Sequence, residues 1–315
     1  MYLVTGGAGF IGSNIVEALV NSGAAVRVLD NLANGKRENL AAFGDRVECL
    51  EGDIRDPDVC KRAVRGASVV LHLAALGSVP RSIADPATSN EVNVTGTLNV
   101  LIAARDAGVK RVVFSSSSSV YGENPALPKR EDLATLPISP YAVSKLAAES
   151  YTRVFSKVYG LETVSLRYFN VFGPRQRADS PYAAVIPLFM QSALEGHPLP
   201  INGDGLQSRD FTYVTNVVRA NLLAATVPGV GGRTYNIACG ERYSLLDIVH
   251  ALAAAAGREL ACDHRPPRAG DVRHSQADIS AAEQELGYRV EVGFREGLAM
   301  TWQAFLAAQG AAGSS

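Results

Sequence analysis

Residues 5–12 read TGGAGFIG, with glycines at 6, 9 and 12. The run just before it, YLVT, is short and rich in β-formers, and the stretch just after it, Ser13 to Asn21, places its apolar residues at helical spacing. A strand that turns sharply on glycines into a helix aims backbone amides and the helix N-terminus at one point, an arrangement suited to a pyrophosphate. The next strand-like run, AVRVLD, ends in Asp30, eighteen residues beyond Gly12, where a carboxylate can accept hydrogen bonds from adenine ribose hydroxyls. The whole βαβ unit predicts a nicotinamide dinucleotide. Asp30 would repel the 2′-phosphate of NADP, which favours NAD, with Lys36 and Arg37 the only nearby charges to offset it. Asp53, closing the third strand-like run in EGDI, is placed to reach the adenine edge in the same manner.

Outward from this unit the pattern repeats. VECLEGD, ASVVLHLAA, RVVFSSS and TVSLRYFN follow, with helical stretches at Glu91 to Ala107 and Tyr141 to Tyr159. The runs are apolar without alternation, the mark of parallel strands buried on both faces, so the expected fold is a doubly wound, Rossmann-type α/β sheet. After Asn170 the chain turns to Pro, Gly and Arg in VFGPRQRADSPY and INGDGLQSRDF, returns toward the sheet around FTYVTNVVRANLLAA and TYNIACG, and leaves through a helix at Leu245 to Ala256. Residues 1–172 and 211–239 are therefore expected to form the cofactor domain. Residues 173–210 and 240–308 are expected to form a smaller α/β substrate domain, with 309–315 a disordered tail.

Composition narrows the function. With 30 basic against 31 acidic residues there is no field to gather polyanions, so nucleic acid is not an expected partner. The chain starts directly on MYLVTGG without a basic leader or a spanning apolar run, from which a cytosolic location and no membrane contact are expected. Cys49, Cys60, Cys239 and Cys262 form no CxxC pair and have no histidine at zinc-like spacing, so they read as reduced and structural, and no metal is expected.

A second cluster carries chemistry. In SPYAVSKLAAE, Ser139 can cap and Pro140 can open a helix, which sets Tyr141 and Lys145 one turn apart on one face. The strand before it ends in SSSSSVYG, at the carboxyl edge where ligands bind in open α/β sheets. A phenol of pKa near 10 is a weak base at neutral pH, and an adjacent ammonium stabilises the phenolate.

Taken together, TGGAGFIG, the serine run before VYG, YAVSK and RYFNVFGPR resemble the extended short-chain dehydrogenase/reductase family, and within it the UDP-sugar 4-epimerases. INGDGLQSRDF and RAGDVRHSQADIS resemble that family's nucleotide-sugar segments, so the likeness runs along essentially the whole chain. The resemblance implies that Tyr141 is the general base, that Lys145 lowers its pKa and binds the nicotinamide ribose, and that Ser117 holds the sugar's reacting oxygen. It implies NAD contacts from Gly6, Gly9, Phe10, Ile11, Gly12, Asp30, Asn31, Asp53, Ile54, Leu73, Ala74, Ala75, Asn93 and Tyr168. It places Ser78, Ser118, Asn170, Gln176, Arg177, Ala184, Val185, Arg209, Arg268, Asp271 and Ser275 around a UDP-sugar. The implied reaction oxidises the sugar at C4, lets the keto sugar turn about its diphosphate, and reduces it on the other face; relatives commonly form homodimers.

The choice within the family turns on single residues. The 4,6-dehydratases carry Asp and Glu where this chain has Ser118 and Ser119, and UDP-glucuronate decarboxylases carry a Glu at that edge, so epimerisation is expected. Ser275 falls where epimerases restricted to glucose and galactose carry a bulky tyrosine, and GSVPRSI (77–83) resembles the branch that handles N-acetylated sugars. UDP-GlcNAc/UDP-GalNAc is therefore the expected pair, with UDP-Glc/UDP-Gal also accepted. UDP-glucuronate is the alternative, because Arg177 stands where glucuronate epimerases bind a carboxylate. A regulator that binds the nucleotide sugar without catalysis is the reading from another class.

Overall fold

In the computed structural model, residues 1–178, 183–266 and 273–312 are described, with side chains to residue 308. Seven strands form the central sheet: β1 (Tyr2–Thr5), β2 (Val26–Asp30), β3 (Val47–Glu51), β4 (Val69–His72), β5 (Arg111–Ser117), β6 (Glu162–Tyr168) and β7 (Thr234–Ile237). They lie in the order β3-β2-β1-β4-β5-β6-β7 and every neighbouring pair is parallel. The direction of winding reverses between β1 and β4, and a ligand crevice opens at such a point outside the strands' carboxyl ends. Leu3, Val4, Val28, Leu29, Val70, Leu71, Val112 and Val113 are all buried, which is why these strands lack alternation.

Two cores flank the sheet. One joins Leu3, Leu29, Val70, Leu101, Val112 and Phe155 on a single face. The larger packs Val4, Ile15, Val113 and Leu166 together with Leu199, Ile201, Ile248 and Trp302, so the C-terminal segments share an uninterrupted core with the sheet. Within those segments Leu199–Asn202 pairs in parallel with Cys262–Arg265, and Ser208–Arg209 pairs antiparallel with Tyr243–Ser244.

Local chemistry sets the helices. Ser139 accepts a hydrogen bond from the Ala142 amide and Pro140 occupies the first turn, so the helix Pro140–Tyr159 starts as the sequence predicts and stops at Gly160 in the left-handed region. Leu245–Ala256 opens with a reciprocal capping box between Ser244 and Asp247. Three details differ from the sequence reading. The first helix begins at Phe10 rather than Ser13, directly on the glycine loop. The stretch read as helix from Glu91 opens as a π-helical turn, Glu91–Gly96, before continuing as Thr97–Asp106. In FTYVTNVVRANLLAA only Thr212–Tyr213 is extended, and it pairs with Val171–Phe172 outside the main sheet. The rest is the helix Val214–Thr226, because Val214, Val217, Val218, Asn221 and Ala225 repeat at helical period and are buried. All four cysteines are free thiols, and burial pushes that of Cys60 up to about 12.

Candidate active site

The glycine loop is held together by contacts that only glycine permits. Gly6 has φ +70°, and a Cβ on it would stand 2.8 Å from the Ala74 amide nitrogen, so the strand ends β1 and β4 approach backbone to backbone. A Cβ on Gly12 would stand 2.1 Å from the Gly6 carbonyl oxygen, which packs the helix start against the turn. Gly9 precedes the helix Phe10–Asn21 with no side chain capping its first turn, so those amides remain directed at the crevice. The Asp30 carboxylate accepts hydrogen bonds from the Ala8 amide at 2.9 Å and the Leu32 amide at 2.8 Å. It therefore braces the loop as well as facing the crevice. Burial raises its pKa and those two amides draw it back. Asp53, by contrast, is held down at about 2, chiefly by hydrogen bonds from Arg55.

A cavity of about 1300 Å³ runs along the carboxyl edge of the sheet. Gly6, Gly9, Phe10, Ile11, Gly12, Asp30, Asn31, Asp53, Ile54, Leu73, Ala74, Ala75, Tyr141, Lys145 and Tyr168, the residues expected around the cofactor, line it. Ser78, Ser117, Ser118, Asn170, Gln176, Arg177, Arg209 and Ser275 line it as well. Ala184 and Val185 line a smaller adjoining cavity of about 260 Å³, which shares Asn170, Gln176 and Arg209 with the first. Asn93 stands elsewhere. It is buried behind the wall, where it accepts from the Leu76 amide at 2.8 Å and donates to the Leu76 carbonyl at 3.1 Å and to Ser144 at 3.0 Å. It holds the loop after β4 from behind, and the π-helical turn carries it there. Arg268 and Asp271 lie outside the described residues.

At the end of β5, Ser117 pairs across the sheet with Tyr168 of β6. Ser117 Oγ accepts from the Ser119 amide at 3.2 Å. The Ser117 side chain also faces the Tyr141 phenol closely enough to lower its pKa. Burial raises the pKa of Tyr141 and the Ser117 hydrogen bond lowers it, so here Ser117 is the group that favours the phenolate. The Tyr141 amide, otherwise an unpaired donor in the first helical turn, donates to Ser82 at 3.0 Å. Lys145, one turn along, is buried. Its Nζ donates to the Ser115 carbonyl at 2.7 Å and lies 5.0 Å from the centre of the Phe114 ring, and burial lowers its pKa to about 7. His72 beside it is kept neutral, its pKa lowered to about 3 by burial and by the Lys145 charge. The ring nitrogens of His72 are engaged by Thr5 at 2.6 Å and Thr97 at 3.0 Å.

Several residues at the site escaped sequence reasoning. Glu149 receives Ser116 Oγ at 2.6 Å and both sides of the Arg167 guanidinium at 3.0 and 2.6 Å, and Arg167 donates onward to Tyr121 at 2.9 Å. This buried pair ties the helix Pro140–Tyr159 to β5 and β6 beneath the serine run. Its sequence signal was a charge facing inward on both elements, Glu149 on the Tyr141/Lys145 helix and Arg167 inside an apolar strand. Asp210, buried, gathers the amides of Cys239, Gly240 and Ala277 at 2.9, 3.0 and 3.1 Å and so anchors the strand of Arg209 to the loop of Ser275.

The residues fit a dinucleotide. A glycine cradle that a Cβ would fill meets an uncapped helix start at one end, and a carboxylate closes β2 at the adenine side. Neither Lys36 nor Arg37 lines the cavity, and Arg37 pairs with Glu51. Fold and site together define a Rossmann-type, dinucleotide-dependent enzyme of the short-chain dehydrogenase/reductase kind. Residues 2–238 match the model of the NAD dependent epimerase/dehydratase family. The chain belongs to that family, and NAD is its cofactor. It is 40% identical over 307 residues to the UDP-glucose 4-epimerase of Mycolicibacterium smegmatis, covering 96% of this chain and 97% of the relative. It superposes with TM-score 0.93 and 41% identity on the UDP-N-acetylglucosamine 4-epimerase of Methanobrevibacter ruminantium, solved with UDP-N-acetylmuramic acid, over 98% of both chains. It superposes with TM-score 0.90 and 33% identity on the UDP-glucuronic acid 4-epimerase of Bacillus cereus, over 98% of this chain and 99% of that one. Among the described residues no helix is long and apolar enough to cross a membrane, and no cluster of three or more His, Cys, Asp or Glu is placed to hold a metal ion.

Proposed function

We propose that the chain is an NAD-dependent UDP-sugar 4-epimerase that takes UDP-GlcNAc/UDP-GalNAc and also accepts UDP-Glc/UDP-Gal. The observation that carries the reaction is the meeting of Ser117, Tyr141 and Lys145 at the carboxyl edge of β5 and the helix after it, in one cavity with the glycine loop. NAD, when bound, supplies a hydride acceptor that is regenerated in the same turnover. Tyr141 takes the proton of the sugar's 4-hydroxyl, and the Ser117 hydroxyl, which favours the phenolate before the transfer, turns its one proton to the sugar oxygen as that oxygen loses its own. Lys145 orients the nicotinamide ribose from the same helical face. Arg209 and Asn170 grip the diphosphate where the two cavities meet, so the nucleotide stays seated while the sugar ring turns in the larger one. Ser118 and Ser119 carry no acid or base for elimination, which favours epimerisation over dehydration.

The sugar is read from the wall. Ser275 is small, and the exposed aliphatic side chains of Val79, Ile83 and Ile138 line the same cavity, a surface suited to an acetamido methyl group. UDP-glucuronate is the second reading, favoured by Arg177 in the lining. Incubating the purified protein separately with UDP-GlcNAc, UDP-Glc and UDP-glucuronate and resolving the epimers decides among them. Fastest turnover of UDP-glucuronate would replace the acetamido reading, and no turnover of any UDP-hexose would leave only a binding role. Residues 1–172 and 211–239 are assigned to the cofactor, and 173–210 and 240–308 to the nucleotide sugar. A homodimer is also part of the proposal: Val143, Tyr151, Val154 and Val158 form an exposed stripe on the helix Pro140–Tyr159 that suits a second copy, testable by sedimentation.

A further inference from the structure

We infer that Arg175 is a cofactor-binding residue whose guanidinium neutralises the dinucleotide pyrophosphate opposite the glycine loop, an inference that rests on the NAD assignment. Arg175 sits in the segment that follows the strand Val171–Phe172, and it holds a left-handed backbone, φ 69°, that a residue with a side chain adopts only when its surroundings enforce it. The enforcing contacts come from the glycine-loop helix. Asn14 donates to the Pro174 carbonyl at 3.2 Å, and one nitrogen of the Arg175 fork pairs with Glu17 at 2.5 Å. The other nitrogen, Nη1, is buried with no hydrogen-bond partner among the described residues, and Arg175 lines the cavity that Phe10, Ile11 and Gly12 also line.

An ion pair that is half in solvent, as Arg175–Glu17 is, contributes little on its own and does not account for a strained backbone together with a buried unpaired donor. A guanidinium held on one side by a carboxylate and left unpaired on the other is suited to an anion. The position selects which anion. Lys145 and Lys129 are turned to the carbonyls of Ser115 and Asn124, and Arg209 lies on the carbonyls of Ser208 and Arg273 at the other end of the site. Arg81 and Arg177 both reach Asn34 on the loop after β2. Arg175 is the one tied to the helix whose N-terminus faces the pyrophosphate. Glu17 then acts as the side group that orients the fork.

NADH titration followed by fluorescence, on wild type and on Arg175→Gln, Arg175→Lys and Glu17→Gln, tests this, with UDP-sugar KM measured beside it. Arg175→Gln should weaken NADH by about 10- to 100-fold, the loss of one charge-assisted hydrogen bond, and flatten the salt dependence of binding. Arg175→Lys should recover part of the affinity, and Glu17→Gln should change it by less than about threefold, since the charge remains. Equal losses in Arg175→Gln and Glu17→Gln would reduce the pair to a structural latch and overturn the inference. So would a loss confined to the KM of the UDP-sugar, which would move Arg175 to the other diphosphate. Wild type that binds no NADH would instead remove the cofactor assignment beneath it, and melting curves identify any variant that does not fold.

Discussion

Replacing Lys145 with methionine should abolish turnover and yet make the protein freed of dinucleotide more stable below neutral pH. Lowering an ammonium from 10.5 to about 7 by burial means that the folded state disfavours its charged form by at most about 5 kcal/mol. Two contacts of the ammonium offset part of this: the hydrogen bond to Ser115, worth about 1 kcal/mol, and the approach to the Phe114 ring, worth about 1 kcal/mol. A methionine of similar length fills the same space without a charge, so Lys145→Met should gain about 3 kcal/mol at pH 6. Between pH 7 and 10.5 the unfolded chain keeps a proton that the folded chain has released, so wild-type stability climbs with pH across that window. The advantage of the variant should therefore shrink by about 1.4 kcal/mol per pH unit above pH 7 and vanish near pH 9. Urea unfolding of both stripped proteins at pH 6, 7.5 and 9 measures it. A variant less stable than wild type at pH 6, or a difference that does not move with pH, would refute the argument that a buried charge is retained here for chemistry at the expense of stability.

Tyr141→Phe should keep NADH affinity and lose about 10²- to 10⁴-fold in kcat, and near-normal turnover would remove Tyr141 as the base. Gly12→Ala puts a Cβ 2.1 Å from the Gly6 carbonyl, so NADH titration should show binding lost and differential scanning fluorimetry a lowered Tm; an unchanged Kd would mean the loop has slack. Arg167→Met alone strands the Glu149 carboxylate in the interior and should cost about 3–5 kcal/mol in urea unfolding, whereas pairing it with Glu149→Leu should return much of that; equal costs for single and double variants would contradict a coupled buried pair. Ser275→Tyr should cut kcat/KM for acetamido sugars about tenfold more than for plain hexoses, and parallel losses would strip Ser275 of its part in selection.

The residues of the cofactor end were legible because their signal is local. Gly6 holds a positive φ and Gly12 leaves no room for a Cβ, Asp30 sits at a set distance beyond them, and all lie in one βαβ unit whose period can be read along the chain. Tyr141 and Lys145 were legible for the same reason: one helical turn separates them, and Ser139 and Pro140 declare where that helix begins. The helix Val214–Thr226 was misplaced because the β-rich start FTYV reads as strand, and the helical period of Val214, Val217, Val218, Asn221 and Ala225 shows as one face only once their burial is known.

By itself, then, the sequence determined the doubly wound fold, the dinucleotide loop and the Tyr/Lys pair, since each depends on neighbours a few residues apart. Only the tertiary structure decided that the Ser117 side chain lowers the Tyr141 pKa, where Lys145 turns its ammonium, that Asn93 braces the wall instead of lining it, and that Arg175 keeps one buried nitrogen unpaired beside the glycine-loop helix. Those outcomes depend on distant segments meeting. Arg175 reaches Glu17 across 158 residues and Ser117 meets Tyr168 across a strand pair, and no periodicity along a chain encodes the burial and competing donors that such meetings create.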